Sequence, residues 1–411
     1  MADVTDLPHN RDVPPPPAGW RGRFGFHGGV GALAGGLLGF GFGQELWARY
    51  LPAYLRWLGA SVFTVGAFGA LRDLLDAAYA YPGGVLSDRL GSRRALLAFG
   101  ALTCAGIGVY LLAPSVPAVF AGLLLIMAWP SLGLPATFAI VGEELRGGGR
   151  LRGFTVQAVL KRVPIVLAPP LGGWLIARYG MAAGMRLAFA VSLVLCALLL
   201  LAMARVFRSR RPRASARPAT RTVRLHPALR RLLVADCLVR LCEGLPDVFL
   251  VLWAIEIVHL SPTRFGLLTS ILMATAMLSY APAALLAGRM EKKPFVVLTY
   301  VFFTLFPLAV MLSHSFAALA GAYVVGGLRE IGEPARKALI VDLAAPETGR
   351  ATGLYYAWRG FAVAGAAAVG GALWRVRPEL TFIVAVAFGA AGTLWAALLL
   401  PRQSQLPEVT S

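Results

Sequence analysis

Long apolar segments separated by short polar ones run along almost the whole chain. Each is about 18 residues or longer, the length that an α-helix needs to cross a ~30 Å hydrocarbon core. A soluble domain has no use for so many, so the pattern predicts an all-α, polytopic membrane protein. Its twelve transmembrane helices are predicted at 29–55, 60–86, 95–113, 117–142, 153–178, 184–207, 229–258, 264–289, 294–313, 317–343, 351–374 and 379–400.

An arginine-rich segment divides these helices into two groups of six. Residues 208–228 are too charged to cross a membrane, so they are predicted to form a cytoplasmic linker between six-helix bundles at 29–207 and 229–400. The polar ends, 1–28 and 401–411, are predicted to be cytoplasmic tails. The first is rich in proline and lacks the apolar centre of a signal peptide.

The two groups repeat one another at an offset near 200 residues. Gly172-Gly173 matches Gly370-Gly371 at an offset of 198, and Glu143 matches Asp342 at 199. Both groups begin and end on the same side of the membrane, so the repeats are parallel. They are predicted to form two pseudo-symmetric bundles related by an axis along the membrane normal.

The charge distribution indicates a membrane protein with cytoplasmic termini. The formal net charge is +19, but only 14% of residues are charged, against about 25% in soluble proteins. Basic residues concentrate in every second loop, which is the positive-inside pattern and argues against nucleic acid as a partner. The arginine bias is typical of a GC-rich bacterium. We therefore expect a monomer in the bacterial inner membrane, whose partners are the lipid bilayer, a small-molecule solute and protons.

No metal site or other cofactor is predicted. The four cysteines lie in apolar segments without a Cys-x-x-Cys pair, and the five histidines lie in tails, linkers and helix ends. The chain carries no phosphate-binding loop and no nucleophile motif, so neither ATP-driven transport nor an enzyme is supported.

The stretch from Tyr81 to Arg94 joins the second and third predicted helices and contains one acid, three arginines and three glycines. It resembles the loop between the second and third helices of the major facilitator superfamily, Gly-x-x-x-Asp-Arg-x-Gly-Arg-Arg, with Ser92 inserted. The resemblance implies secondary active transport by alternating access. The matching residues are Gly84, Asp88, Arg89, Gly91, Arg93 and Arg94.

The resemblance also implies a gating role for this loop. In the family, an acid at the cytoplasmic end of the fourth helix, here Glu143, pairs with the loop arginines. We expect Asp88 to meet the start of the eleventh helix near 350–353, where the helix dipole favours an acid. Together these contacts would form a cytoplasmic clasp of the outward-facing state. In the second half the corresponding acid is Asp342, and its partner would be Arg289, Lys292 or Arg350.

Ionisable residues inside a membrane segment cost a few kcal/mol each unless they are paired or hydrated. Several acids have a base three or four residues away, on the same helix face. Such pairs either neutralise each other for insertion or take part in transport. They are Glu45 with Arg49, Asp76 with Arg72, Asp236 and Glu243 with Arg240, and Glu333 with Arg329 and Lys337.

Three acids, Asp73, Asp247 and Glu330, have no base at those spacings. They are therefore paired across helices, protonated or hydrated. Asp247 matches Glu45 at an offset of 202, and the resemblance implies that the helices carrying both line a central cavity. Glu45 and Asp247 are the favoured coupling or substrate-facing acids. The alternative is salt bridging without a role in transport.

Two bases, Lys161 and Arg359, match each other at an offset of 198 within apolar segments. They either hold a negative group of the solute or pair with Asp73, Glu330 or Asp247.

Two further motifs bear on the direction of transport. Residues 168–173 resemble the core of the antiporter signature, Gly-Pro-x-x-Gly-Gly, and residues 51–61 resemble a pattern common in drug exporters. They favour proton-coupled export (efflux by an antiporter) of a hydrophobic or amphipathic compound. The alternative is proton-coupled uptake or exchange of an organic anion, suggested by Lys161, Arg359 and Arg49. A non-transporting membrane sensor or a membrane enzyme is the alternative of another class.

Overall fold

The computed structural model describes residues 28–133, 148–207, 225–287, 291–344 and 348–400. For 28–32, 80–81, 148–161, 280–287 and 348–350 it describes the backbone alone. Within these ranges the chain is built from helices and short connections, without a β-strand.

The described residues of the N-terminal half form six α-helices, of which the first two make up one broken helix. The long α6 bends at Gly180, where φ is 81°, a conformation that glycine adopts without steric cost. The bend divides α6 into two spans, as the sequence predicts. The bounds are α1 Gly28–Glu45, α2 Leu51–Trp57, α3 Val62–Leu90, α4 Ser92–Leu112, α5 Val116–Ile126 and α6 Gly148–Val206.

The described residues of the C-terminal half form eight helices of eleven residues or more. The first continues through a 3₁₀ turn at Asp247–Phe249 to Ile257, and two later pairs, α10 with α11 and α12 with α13, each form one broken helix. The bounds are α7 Pro227–Gly244, α8 Pro262–Ala287, α9 Lys292–Met311, α10 Phe316–Leu328, α11 Glu333–Leu343, α12 Thr348–Val363, α13 Ala366–Val376 and α14 Pro378–Leu399.

Joined in this way, the helices of the described ranges make up twelve rods in two groups of six, which confirms the predicted fold class. Four segments are long and apolar enough to cross a membrane by length and composition alone. Several other rods are interrupted by turns or carry charged side chains. The four are Ser92–Leu112, Arg162–Val206, Lys292–Met311 and Pro378–Leu399.

The backbone repeats at the offset that the sequence predicts. Ser115 and Ser315, 200 residues apart, each cap a helix by accepting a hydrogen bond from the amide three residues later. Gly59 and His259, also 200 apart, both adopt positive φ.

The predicted Gly-Gly pairs serve the same packing contact in both halves. A methyl group on Gly172 would lie 1.7 Å from the carbonyl oxygen of Leu46, and one on Gly370 would lie 2.2 Å from that of Leu245. Both glycines are therefore required by the close approach of a neighbouring helix at the point where that helix breaks.

The two halves contact each other at the end of the molecule that carries the loops 58–61 and 258–261. The Tyr50 hydroxyl bridges the carbonyl oxygens of Pro169 (2.6 Å) and Pro262 (3.0 Å), the latter from the opposite half. Arg56 and Glu256 form an ion pair of 3.4 Å across the same boundary. The charge pattern predicts that this closed end is periplasmic.

The charged stretch 81–94 is more helical than predicted. The segment expected as a loop continues α3 to Leu90, and α4 starts at Ser92. Only Gly91 lies between them, with a φ of 81°, so a single left-handed glycine makes the hairpin. Asp88 and Arg89 are exposed on the last turn of α3.

Candidate functional site

A cavity of about 120 Å³ lies between the two halves. The break between α1 and α2, together with α3 and α6, contributes from one side, and α7 to α10 contribute from the other. Its wall carries three arginines and two carboxylates among apolar and aromatic side chains. These charged residues are Arg49, Arg72, Glu243, Asp247 and Arg329, and the aromatic ones are Phe265, Phe303, Phe306 and Tyr323.

Two matching helix breaks bring Arg49 and Asp247 to this wall. A 3₁₀ turn follows α1 at 48–50, and another follows α7 at 247–249. Pro246 has no N–H to bond the carbonyl of Cys242, which favours the break of α7 at this point. The two turns match at an offset of 199, which places Asp247 opposite Ala48. The predicted match of Asp247 with Glu45 is therefore wrong by three residues.

Arg72 holds one acid from each half. Its Nη2 donates to Asp73 Oδ1 at 3.0 Å and to Asp247 Oδ2 at 2.8 Å. The guanidinium can satisfy both carboxylates because it has five N–H donors. The predicted pair of Arg72 with Asp76 is wrong, since the Ser131 hydroxyl lies 2.6 Å from the Asp76 carboxylate and donates to it. Asp247, in contrast, is paired across helices, which is one of the three states that the sequence allows for an acid without a base nearby.

Glu45 and Arg49 form the pair that their spacing predicts, at 3.0 Å. Arg49 lines the cavity, whereas Glu45 is not among the lining residues. The arginine therefore presents this pair to the cavity.

Glu243 binds two arginines, Arg240 at 2.6 Å and Arg329 at 3.2 Å. The Arg329 guanidinium also lies over the rings of Phe303 and Phe306, at 5.1 and 5.5 Å, a cation–π arrangement. The predicted pair of Arg329 with Glu333 is therefore replaced by one with Glu243.

Two buried donors on this wall have no hydrogen-bond partner among the described residues. They are Nε of Arg329 and the hydroxyl of Tyr323. Because an unpaired buried donor costs about 1–3 kcal/mol, these atoms are suited to binding a polar group within the cavity.

An ion-pair chain is buried behind the cavity wall in the C-terminal half. Arg336 binds Asp236 at 2.7 Å and Glu333 at 2.8 Å, and the three side chains are 2%, 1% and 7% exposed. Glu333 also binds Arg240 at 3.1 Å, which extends the chain to Glu243 on the wall. Lys337 lies 4.0 Å from Glu333, as predicted. The predicted pair of Asp236 with Arg240 is wrong, because Arg336 takes its place.

Arg359 belongs to this chain and is not among the residues that line the cavity. It lies 3.4 Å from Asp236 and 4.7 Å from the ring centre of Tyr356. Asp236 also accepts a hydrogen bond from the Tyr355 hydroxyl at 2.9 Å. Arg359 therefore pairs with an acid, but not with any of the three that the sequence offered.

The third acid without a predicted partner, Glu330, pairs across the halves with Arg162 at 2.9 Å. Lys161, which the sequence singled out instead, lies in α6, but its side chain is outside the description. The sequence did not point to Arg162, because the repeat matches Arg359 with the neighbouring Lys161 instead.

The gating prediction is described only in part. Lys292 binds Asp342, one of the pairings that the sequence allows. Glu143 and Arg289 lie outside the described residues, as does the side chain of Arg350. The clasp between Asp88, the loop arginines and Glu143 therefore stays a prediction.

Two six-helix bundles that meet around a charged cavity define the architecture of a membrane transporter. The model of the Major Facilitator Superfamily matches residues 33–236 and 232–411. The chain therefore belongs to the major facilitator superfamily, and it is a transporter and not an enzyme. No curated protein matches the sequence.

Solved structures of peptide transporters share the fold. The peptide transporter POT in complex with sulfate has a TM-score of 0.72 and 19% identity, over 94% of this chain and 95% of that one. A POT family transporter with a thioalcohol-conjugated peptide has a TM-score of 0.74 and 14% identity, over 90% and 95%. A POT family transporter with 5-aminolevulinic acid has values of 0.73 and 15%, over 93% and 96%.

Proposed function

We propose that the protein is a proton-coupled transporter of a small solute that combines an anionic group with an apolar body. The observation that carries this proposal is the arginine-rich wall of the cavity between the halves, with Arg49, Arg72 and Arg329 on it. Arginine binds carboxylate and phosphate groups in fixed, charge-assisted geometry. Of the transport alternatives that the sequence left open, this lining favours the organic anion over the hydrophobic compound.

The proposed coupling acid is Asp247. Its bond to Arg72 ties the two halves together at the cavity. A proton on Asp247 removes the charge that attracts Arg72 and turns the carboxylate into a weaker partner. Arg72 then has donors available for the anionic group of the solute, while Asp73 keeps the guanidinium in place. Protonation and anion binding thus favour each other, which is the condition for moving both in the same cycle.

The remaining lining residues suit the rest of the solute. The open donors of Tyr323 and Arg329 can bind an additional polar group. Phe265 and Phe306 offer apolar surface beside them. Two fold neighbours are in complex with compounds that carry an anionic group, namely sulfate and 5-aminolevulinic acid.

Purified protein in liposomes that contain a pH-sensitive dye tests the proposal. A panel of small carboxylates and phosphate esters is compared with ethidium, a hydrophobic cation. We expect at least one anionic compound to drive proton movement and ethidium to drive none. Asp247→Asn should abolish the proton movement while solute exchange between the two sides continues.

Glu256→Gln is the matched control, because Glu256 also pairs across the halves but is 37% exposed at the closed end, away from the cavity. We expect it to keep proton coupling, because an exposed ion pair contributes at most about 1 kcal/mol to the closed end. Proton movement with ethidium alone would contradict the proposed substrate class. Unchanged coupling in Asp247→Asn would contradict the role of Asp247.

A further inference from the structure

An open cleft of about 530 Å³ lies between the first turns of α7 and the middle of α12. Its walls are mostly apolar, and among the described residues that line it only Arg230 is charged. Val234 and Trp358 are 41% and 59% exposed. The lining residues are Leu225, Arg230, Leu233, Val234, Leu354 and Trp358.

The position of the cleft matches one leaflet of the bilayer. It begins beside Pro227, where α7 starts directly after the basic linker, and therefore at the end predicted to be cytoplasmic. From Pro227 to Val234 the helix rises by about 10 Å. The cleft thus extends from the headgroup region into the upper part of the acyl chains. An exposed indole such as that of Trp358 favours this interface.

The chemistry of the cleft is that of a charged head joined to an apolar tail. Arg230 is exposed at the mouth, and no ion pair holds it within the described part of the chain. Behind it stand only aliphatic and indole surfaces. A free phosphate ion could bind only the guanidinium, since the other five lining residues are apolar. A phospholipid fits better, because its phosphate binds the guanidinium while its acyl chain is buried against the apolar residues.

A second open cleft, between α9 and α14, shows that this combination is not general. It has a volume of about 490 Å³ and also has apolar walls, but Glu291 and Lys293 both line it. The Lys293 ammonium already donates to the carbonyl of Leu400 at 2.6 Å. An anion in this cleft would meet the Glu291 carboxylate beside an ammonium group that already donates a hydrogen bond.

We propose that the cleft between α7 and α12 is a binding site for an anionic phospholipid of the cytoplasmic leaflet. Arg230 binds the phosphate, and Leu233, Val234, Leu354 and Trp358 contact one acyl chain. Basic pockets between membrane helices on this side recognise anionic headgroups in this way. Deeper in the bundle, Asp236 and Arg359 join the same two helices, so a bound lipid would stabilise a contact that the protein already makes.

Native mass spectrometry of the full chain in detergent, titrated with phosphatidylglycerol, tests the proposal. Phosphatidylcholine serves as the neutral lipid and inorganic phosphate as the soluble competitor. We expect the first phosphatidylglycerol to bind more tightly than phosphatidylcholine and to remain bound in excess phosphate. Arg230→Ala should weaken it about fivefold, which corresponds to about 1 kcal/mol. Trp358→Ala should weaken both lipids.

Arg231→Ala is the matched control, because Arg231 is the neighbouring exposed arginine and does not line the cleft. We expect it to leave the first binding step unchanged. An equal loss in Arg230→Ala and Arg231→Ala would show unspecific attraction to a basic surface and would overturn the proposal. Displacement by inorganic phosphate, or equal affinity for both lipids, would overturn it as well.

Discussion

The two halves repeat the same helices but bury different chemistry. In the described part of the N-terminal half, the fully buried polar side chains are neutral hydroxyls, namely Ser87, Thr103, Ser131 and Ser192. In the C-terminal half they include two carboxylates and a guanidinium, those of Asp236, Glu333 and Arg336. Both halves have the same glycine contact at the helix break. They therefore differ in the side chains that connect their helices elsewhere.

A buried hydroxyl is satisfied by a backbone carbonyl, whereas a buried charge needs an oppositely charged partner. The Ser192 hydroxyl lies within hydrogen-bond distance of two carbonyls, that of Ala188 in its own helix and that of Gly43 in α1. Asp236 on α7 instead needs Arg336 on α11 and Arg359 on α12. The charges of the C-terminal half therefore connect three helices to one another. We expect this half to move as a more rigid unit than the N-terminal half during transport.

The largest effect is expected from removing the central acid of the ion-pair chain. Asp236→Asn leaves Arg336 and Arg359 buried or half-buried with less negative charge. Removal of one partner of a buried pair costs about 3–5 kcal/mol, and we expect the lower end because Arg336 keeps Glu333. The corresponding N-terminal change, Ser192→Ala, should cost only about 1 kcal/mol.

Chemical unfolding in mixed micelles, monitored separately for each half by a site-specific fluorophore, measures both variants. Asp236→Asn should lower the stability of the C-terminal half in particular. Equal losses in the two variants would contradict the contrast between the halves.

The next effect concerns the contact that the halves share. Gly172→Ala and Gly370→Ala each place a methyl group against the carbonyl of a neighbouring helix. We expect each to destabilise its own half by about 1–3 kcal/mol, since overpacking of this kind is not relieved by a side-chain rotation. The same unfolding experiment measures them. Similar losses of stability in the two halves would mean that the glycine contacts are equivalent. The halves would then differ only in their buried charges.

Gly321→Ala is the control for these two variants, since a methyl group there meets nothing within 4 Å. We expect it to be neutral or slightly stabilising, because alanine is favoured over glycine in a helix. A loss of stability in Gly321→Ala as large as in Gly172→Ala would mean that the close approach of the helices is not the cause.

Much of the fold could be predicted because its signals are local. The length of the apolar segments and the charge of alternate loops determine twelve helices, and the Gly-Gly pairs reveal the repeat. The bend at Gly180 separates two spans at the position that the hydropathy pattern predicts.

The ion pairs of the site could be predicted only within one helix. Glu45 with Arg49 follows from spacing, but Arg72 with Asp247 and Arg162 with Glu330 depend on how helices from opposite halves cross. The pair of Arg72 with Asp73 was missed for another reason: adjacent residues do not face each other on an ideal helix. It forms because the long arginine side chain reaches around to both acids.

The smallest effect is expected at a position where the halves differ by one hydroxyl group. The helix breaks place Tyr50 opposite Phe249, at the offset of 199. Only the tyrosine can donate to the carbonyls of Pro169 and Pro262, which join the halves at the closed end. Tyr50→Phe therefore makes the N-terminal half resemble the other and removes one contact of the closed state, with little change in packing.

Loss of one such hydrogen bond should weaken the closed state by about 1 kcal/mol, which is about a fivefold shift in population towards opening at this end. Spin labels at Ala113 and His314, in exposed loops of the two halves, measure the distance across that end. Tyr79→Phe is the control, since it removes a hydroxyl whose hydrogen bond, to the carbonyl of Leu124, stays within the N-terminal half. Unchanged distances in Tyr50→Phe would mean that other contacts, such as the ion pair of Arg56 with Glu256, hold this end closed.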